Sequence, residues 1–273
     1  MYQTKLIFTN VVLTTLLLLF AVGLTHAQPT PAELADRIHE SQQNQLRGIQ
    51  NITIIQEMPF VGDVESYYEK VEEDGRFILR SMEGDDDEFF LLSSMDQDFR
   101  RVIMGASSIT NDSFDGIQLY KVFIDDKELL ESLDTDNFDL DPDEDMMGEI
   151  KSATFWVDRS NYNVHRTEVV QVANGNEMTI NIHLKDYRQH SGLYIPHIME
   201  MSIDGMENMF SDEEVAEARA AMRELEAQLE QMPEAQRDMI MQQFSSQIEQ
   251  LEAVLAGEST SMEIKVIDVI INQ

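Results

Sequence analysis

One segment constrains the fold more than any other. Met178, Ile180, Ile182 and Leu184 alternate with Thr179, Asn181, His183 and Lys185. Successive side chains of a strand point to opposite faces, so this period of two predicts a strand with one dry and one wet face. After a turn at Gln189-His190-Ser191-Gly192 the pattern resumes. Leu193, Ile195, His197, Met199, Met201 and Ile203 share one face, and Tyr194, Pro196, Ile198, Glu200 and Ser202 the other. Upstream, Thr154–Asp158 and Val164–Val172 read as strands joined at Ser160-Asn161, and Asn174-Gly175-Asn176 is a hairpin turn into the alternating run. Residues 153–203 are thus predicted as a meander of long antiparallel strands. Its apolar face must be covered, by helices of the chain or by a ligand.

The flanks extend this sheet. Thr30-Pro31-Ala32-Glu33 is a capping box with proline at the first helical position, opening a helix with a stripe of Leu34, Ile38 and Leu46 that Gly48 ends. Asn51–Met58, Glu65–Glu72 and Arg76–Met82 read as strands, the last two joined at Glu73-Asp74-Gly75. A charged turn at Gly84-Asp85-Asp86-Asp87-Glu88 precedes Phe89-Phe90-Leu91-Leu92, and Gly116–Ile124 is a further strand. Residues 95–117 carry no readable pairing. Leu129, Leu130 and Leu133 suggest a short helix before an acidic surface loop, 134–149.

Ser211-Asp212-Glu213-Glu214 is a second capping box. Val215, Ala218, Met222, Leu225, Leu229 and Met232 follow at alternating spacings of three and four, the mark of a helical seam. Pro233 breaks that run, and Ile240, Phe244, Ile248, Leu251 and Leu255 continue to Gly257. Residues 211–257 therefore read as an antiparallel helical hairpin, inserted before a closing strand, Met262–Ile271. The predicted class is α+β: a large antiparallel sheet covered by helices.

The first residues carry a different message. Lys5 precedes an apolar core, Val11 to Leu24, and Thr25-His26-Ala27 offers small residues at a cleavage position. Residues 1–27 are read as a secretory signal cleaved near Ala27, leaving 28–273 as one exported domain in the periplasm. The alternative is an uncleaved anchor, although the stretch is near the lower limit of the ~17–25 residues a helical span needs. The chain has no cysteine. Disulfides are excluded, and so is a lipid anchor on an N-terminal cysteine. With 52 acidic against 19 basic residues the formal net charge is −33. Such a surface repels phosphate backbones and anionic headgroups, so nucleic acid is excluded as a partner and membrane association is transient at most.

No motif of catalysis is present: no Gly-x-Ser-x-Gly, no cysteine nucleophile, no glycine-rich phosphate loop. The chain is read as a non-enzyme without cofactor or metal. His183, His190 and His197 are spaced by seven, but 183 belongs to a polar face and 197 to an apolar one. They read as ordinary histidines, with a zinc site as the alternative. Asp139, Asp141 and Asp143 alternate as in a calcium loop. Glu144 stands where that loop needs glycine and Ile150 where it needs glutamate. The run reads as a solvated loop, with nonspecific calcium association the alternative. The 17 methionines read as core filling, or as adaptable surface for varied apolar shapes.

Three stretches carry a family resemblance. They are Phe155-Trp156-Val157-Asp158-Arg159 followed by Val164-His165-Arg166-Thr167-Glu168; Leu184-Lys185-Asp186-Tyr187-Arg188; and Gly192-Leu193-Tyr194-Ile195-Pro196-His197. Together they resemble the LolA-like outer-membrane lipoprotein-sorting proteins, whose pattern is a W-x-D strand, a return strand, a D-Y-R strand end and a G-x-x-x-P turn. The helical insertion around Leu229-Glu230-Gln231-Met232-Pro233 is similar to one in some members. The resemblance implies a curved, incomplete β-barrel plugged by helices, whose concave apolar face holds acyl chains of lipoproteins or lipids. On this chain that face would be Phe155, Val157, Met178, Ile180, Ile182, Leu184, Leu193, Ile195, Met199 and Met201. The alternative is an envelope protein-interaction module of the same fold with a filled core, using 211–257 as its partner surface.

Overall fold

The computed structural model describes residues 28–59, 61–73, 75–82, 97–134, 149–173, 175–205 and 260–272, with nine further residues between 216 and 232. The signal, the charged turn with Phe89–Leu92, residues 135–148 of the acidic loop and the second helix of the hairpin lie outside them. Ten strands are present among the described residues: β1 (Asn51–Met58), β2 (Gly62–Glu73), β3 (Arg76–Ser81), β4 (Ser108–Phe114), β5 (Ile117–Ile124), β6 (Glu149–Asp158), β7 (Val164–Ala173), β8 (Asn176–His190), β9 (Leu193–Asp204) and β10 (Thr260–Asn272). Three helices lie wholly within the described residues: α1 (Pro31–Leu46), α2 (Gln97–Met104) and α3 (Lys127–Asp134).

All ten strands form one antiparallel sheet in the order β3-β2-β1-β10-β9-β8-β7-β6-β5-β4. Every neighbour is a neighbour in sequence except one pair. The first strand lies beside the last, from Asn51 opposite Asn272 to Glu57 opposite Lys265. The sheet is therefore a meander whose two ends in sequence meet in the middle, and whose edges are β3 and β4. The unreadable stretch 95–117 contains α2 and β4. The strand expected at Thr154–Asp158 begins earlier, at Glu149. The turn expected at 189–192 shrinks to Ser191-Gly192, both with positive φ (51° and 98°). This is the twist that a two-residue hairpin loop requires. His190 is consequently the last residue of β8 rather than part of a loop.

Register turns the alternation into rows that cross the sheet. Ile109, Val122, Phe155, Thr167, Ile182, Met201 and Met262 stand opposite one another from β4 to β10. One residue along each strand, the row is Thr110, Lys121, Trp156, Arg166, His183, Glu200 and Glu263. A dry row and a wet row thus alternate, as period-two patterning demands.

Helix α1 packs on the sheet. Thr30 caps this helix through a complete capping box, and its buried stripe is Leu34, Ala35, Ile38 and Leu46. Gln43 bonds the backbone of Phe77 in β3 at 2.8 Å, and Gln45 accepts from the backbone N–H of Tyr194 in β9 at 3.0 Å. One helix thus bonds strands four places apart in the sheet. α2 packs against α1, β5 and α3, and α3 lies along β6. The core under these helices includes Ile52, Ile54, Ile103, Leu193 and Ile195.

Of the predicted helical hairpin, eight described residues between Ala216 and Leu229 are helical, and Leu229 is buried. The Met232 N–H donates to the Leu229 carbonyl at 3.1 Å.

Candidate functional site

The dry face is the candidate site, and the structure divides its ten predicted residues in two. Val157, Met178, Ile182, Leu184, Leu193, Ile195 and Met199 are buried as core. Phe155, Ile180 and Met201 are only half-buried, packed against the core with one side open. Register puts Ile180 directly opposite Ile203 and Met201 opposite Met262, and Ile203 and Met262 are half-buried too. Ile180, Met201, Ile203 and Met262 therefore adjoin on three neighbouring strands, forming an incompletely covered apolar patch beside a sealed core. Nothing in the alternation distinguishes the two groups, because covering depends on where α1 and α2 land.

The wet face carries charge and aromatic rings. The Trp156 indole N–H donates to Asp112 at 2.8 Å, which holds the Asp112 carboxyl below its ordinary value. Lys121 and Arg166 stand over the Trp156 ring, at 5.1 and 4.4 Å from its centre. Arg166 also donates to Glu168 and to Asn181, each at 2.8 Å, and the Asn181 amide donates to Asp204 at 3.1 Å. This belt ties β4 through β9 together from outside. It is a structural seam, because its charges are answered within it.

The motif residues of the resemblance have structural roles as well. Asp158 accepts from the Ser160 N–H and hydroxyl at 2.7 Å, fixing the β6–β7 turn. Asp186 takes a positive φ of 52°, a conformation aspartate tolerates better than most residues. The following Tyr187 is sunk so that its hydroxyl donates to the Val164 carbonyl and its ring packs on His165. Burial pushes the Tyr187 phenol well above its ordinary range. Pro196 is buried in β9. Such a motif identifies a way of folding, not a chemistry.

Burial pushes the His165 pKa below its ordinary value, opposed by Asp158 at 3.6 Å. That distance is an electrostatic contact, too long for a hydrogen bond. His183 sits on the wet row, its ring against Phe114. His190 and His197 meet each other, a pairing the spacing of seven left unassigned. Among the described residues, no three histidine, cysteine, aspartate or glutamate side chains cluster as metal ligands would. No described helix is long and apolar enough to cross a membrane.

No protein-family model matches the chain, and no curated protein matches it. Three solved structures overlap with it. A Vibrio parahaemolyticus domain described as outer membrane lipoprotein-sorting is similar at 9% identity and TM-score 0.39, over 88% of this chain and 94% of that one. A DUF1329 family protein from Desulfovibrio piger is similar at 10% identity and TM-score 0.35, over 63% and 84%. A LolA superfamily protein from Nitrosomonas europaea is similar at 11% identity and TM-score 0.26, over 60% and 84%. Two of these descriptions coincide with the resemblance read in the sequence.

Proposed function

We propose that this chain is an exported, non-enzymatic carrier that shelters acyl chains of lipoproteins or lipids against the apolar face of its sheet. The observation that supports this reading is the half-covered patch of Ile180, Met201, Ile203 and Met262. A sheet face sealed by its own helices would leave no such margin, and two of the four residues are methionines, whose thioethers adapt to varied apolar shapes. Transfer of an acyl chain to such a surface is worth roughly 0.8 kcal/mol per buried CH₂. A few methylenes held there give a binding strength from which cargo can still be released. The acidic surface suits docking to basic patches on a donor or acceptor, steering encounter more than adding affinity.

Native mass spectrometry of the protein purified from a membrane-containing host tests this directly. The carrier reading expects co-purifying lipid that a detergent wash removes. Lipid-free protein that also fails to take up a fluorescent fatty acid would overturn it.

A second reading is favoured by the sealed part of the same face. Val157, Leu193 and Ile195 are fully buried, as in an interaction module whose core is filled by its own side chains. Under that reading, deletion of 212–257 spares the fold and abolishes capture of an envelope protein partner.

A further inference from the structure

The wet face changes character across the sheet. From β4 to β10 its row carries Lys121, Arg166, Glu200 and Glu263. At the other end the same face carries Ile270 of β10, Thr53 of β1 and Tyr67 of β2, directly opposite one another. Met82 extends that row beyond β3, its N–H donating to the Tyr67 carbonyl at 3.1 Å. Ile270 is 46% exposed and Met82 55%. Thr53, Tyr67 and the adjoining Ile55 are half-buried.

A bulge adds to this stripe. Val266 stands opposite Gln56 and Asp268 opposite Ile55, so Ile267 is an extra residue in β10. It leaves the alternation and is 52% exposed, whereas Val266 is buried. The pairing of β10 with β9 ends at Lys265 opposite Ile198. Among the described residues, Ile267 and Ile270 therefore have a paired strand on the β1 side alone. A contiguous exposed apolar stripe rimmed by polar residues marks an interaction surface.

The rim is acidic. Glu65 and Asp268 flank Ile55 on either side, and Glu69 stands in the next row opposite Asn51. All three carboxylates are exposed. The neighbouring cations are engaged elsewhere, Arg80 with Glu73 and Lys265 with Glu263. Among the described residues, Glu65, Glu69 and Asp268 have no ion-pair partner.

We propose that this face is a docking surface for a partner protein that presents a basic amphipathic helix, its apolar stripe on Ile267, Ile270, Tyr67 and Met82 and its lysines and arginines on the carboxylate rim. Charge complementarity selects this occupant. A second copy related by a two-fold axis would set one acidic rim against another, and an anionic lipid surface is repelled in the same way. The row from Ile270 to Met82 crosses three strand intervals, about 14 Å at ~4.8 Å each, close to three helical turns at ~5.4 Å each. The surface lies on the face opposite the proposed acyl patch and does not depend on it.

The test is a fluorescence anisotropy titration of the purified protein with a labelled synthetic leucine–lysine amphipathic helix, beside the same peptide with glutamate in place of lysine. The expected result is saturable binding of the lysine peptide alone, weakened by salt. Ile267→Ser and Ile270→Ser should each weaken it roughly fivefold or more, and fatty-acid uptake should be unchanged in both. Phe114→Ser, an exposed apolar residue on β4 at the far edge, should leave peptide binding unchanged. Binding that survives both isoleucine substitutions, or that falls equally in Phe114→Ser, would overturn the proposal by showing attraction to net charge alone. Self-association that disappears in Ile270→Ser, or binding to phosphatidylcholine vesicles in place of the peptide, would overturn it in favour of another occupant. Should Ile270→Ser fail to fold, Ile267→Ser at the bulge still decides.

Discussion

The side-chain amide of Gln43 makes both hydrogen bonds to a single residue, Phe77: its Nε2 donates to the Phe77 carbonyl and its Oε1 accepts from the Phe77 N–H, each at 2.8 Å. Phe77 lies in β3, an edge of the sheet. Gln43 does there what a neighbouring strand would do, and so blunts an edge that would otherwise recruit another chain. Replacing it should expose two unpaired backbone groups in a partly buried setting. Gln43→Leu is expected to cost about 1–3 kcal/mol in urea unfolding and to raise self-association measured by light scattering. An unchanged midpoint with no added association would show that the edge needs no such partner.

The division of the dry face predicts opposite outcomes for neighbouring substitutions. Ile182 is 3% exposed, so Ile182→Asp would bury a charge without a partner and should unfold the protein. Met201, its half-buried neighbour across the strand pair, should accept Met201→Glu with the far-ultraviolet spectrum retained and binding of a fluorescent fatty acid lost. Retained uptake by a folded Met201→Glu protein would remove this patch as the acyl surface.

Acid should destabilise the fold through buried histidines. Burial lowers the His165 pKa from its ordinary 6.5, and His39, His183 and His197 are lowered with burial as the largest cause. Below pH 6.5 the unfolded chain takes up protons that the folded chain refuses. Stability is thus full above pH 6.5, declines as pH falls below it, and levels off beneath the folded-state values. Urea midpoints between pH 8 and pH 5 should show this decline, and His165→Gln should make it shallower. A parent protein with a flat profile across that range would contradict the assignment.

Gly205, which follows β9, has a φ of +86°, and a Cβ there would lie 2.6 Å from the backbone oxygen of Glu177. Gly116 shares the positive φ, at +82°, but a Cβ would meet nothing within 4 Å. Both alanine variants carry the left-handed strain of about 1–3 kcal/mol. Gly205→Ala should lose measurably more stability than Gly116→Ala, because backbone must also move. Equal thermal midpoints would place the whole effect in φ.

The elements whose pattern repeats over two or four residues were legible in the chain. The capping box at Thr30 opens α1 where expected, and Asn51–Met58 is β1 to the residue. The alternation of 178–203 names the dry and wet faces correctly, as the crossing rows show. Residues 95–117 were not legible. α2 is two turns long, and β4 is largely exposed, so neither carries the long apolar period that reveals an element. His190 was misplaced in a turn because Gln189 and His190 are polar and adjoin Ser-Gly, whereas the two-residue loop lets β8 run to His190.

By itself the sequence determined which residues can share a face and where the chain must turn, because both follow from contacts within a few residues. Tertiary structure decided that Ile52 stands opposite Ile271, that one helix bonds both β3 and β9, and that His190 meets His197 rather than His183. It also decided where an apolar face becomes core and where it stays half open. Those outcomes depend on which distant strand supplies the opposite edge and where the helices come to rest, and no local periodicity carries that information.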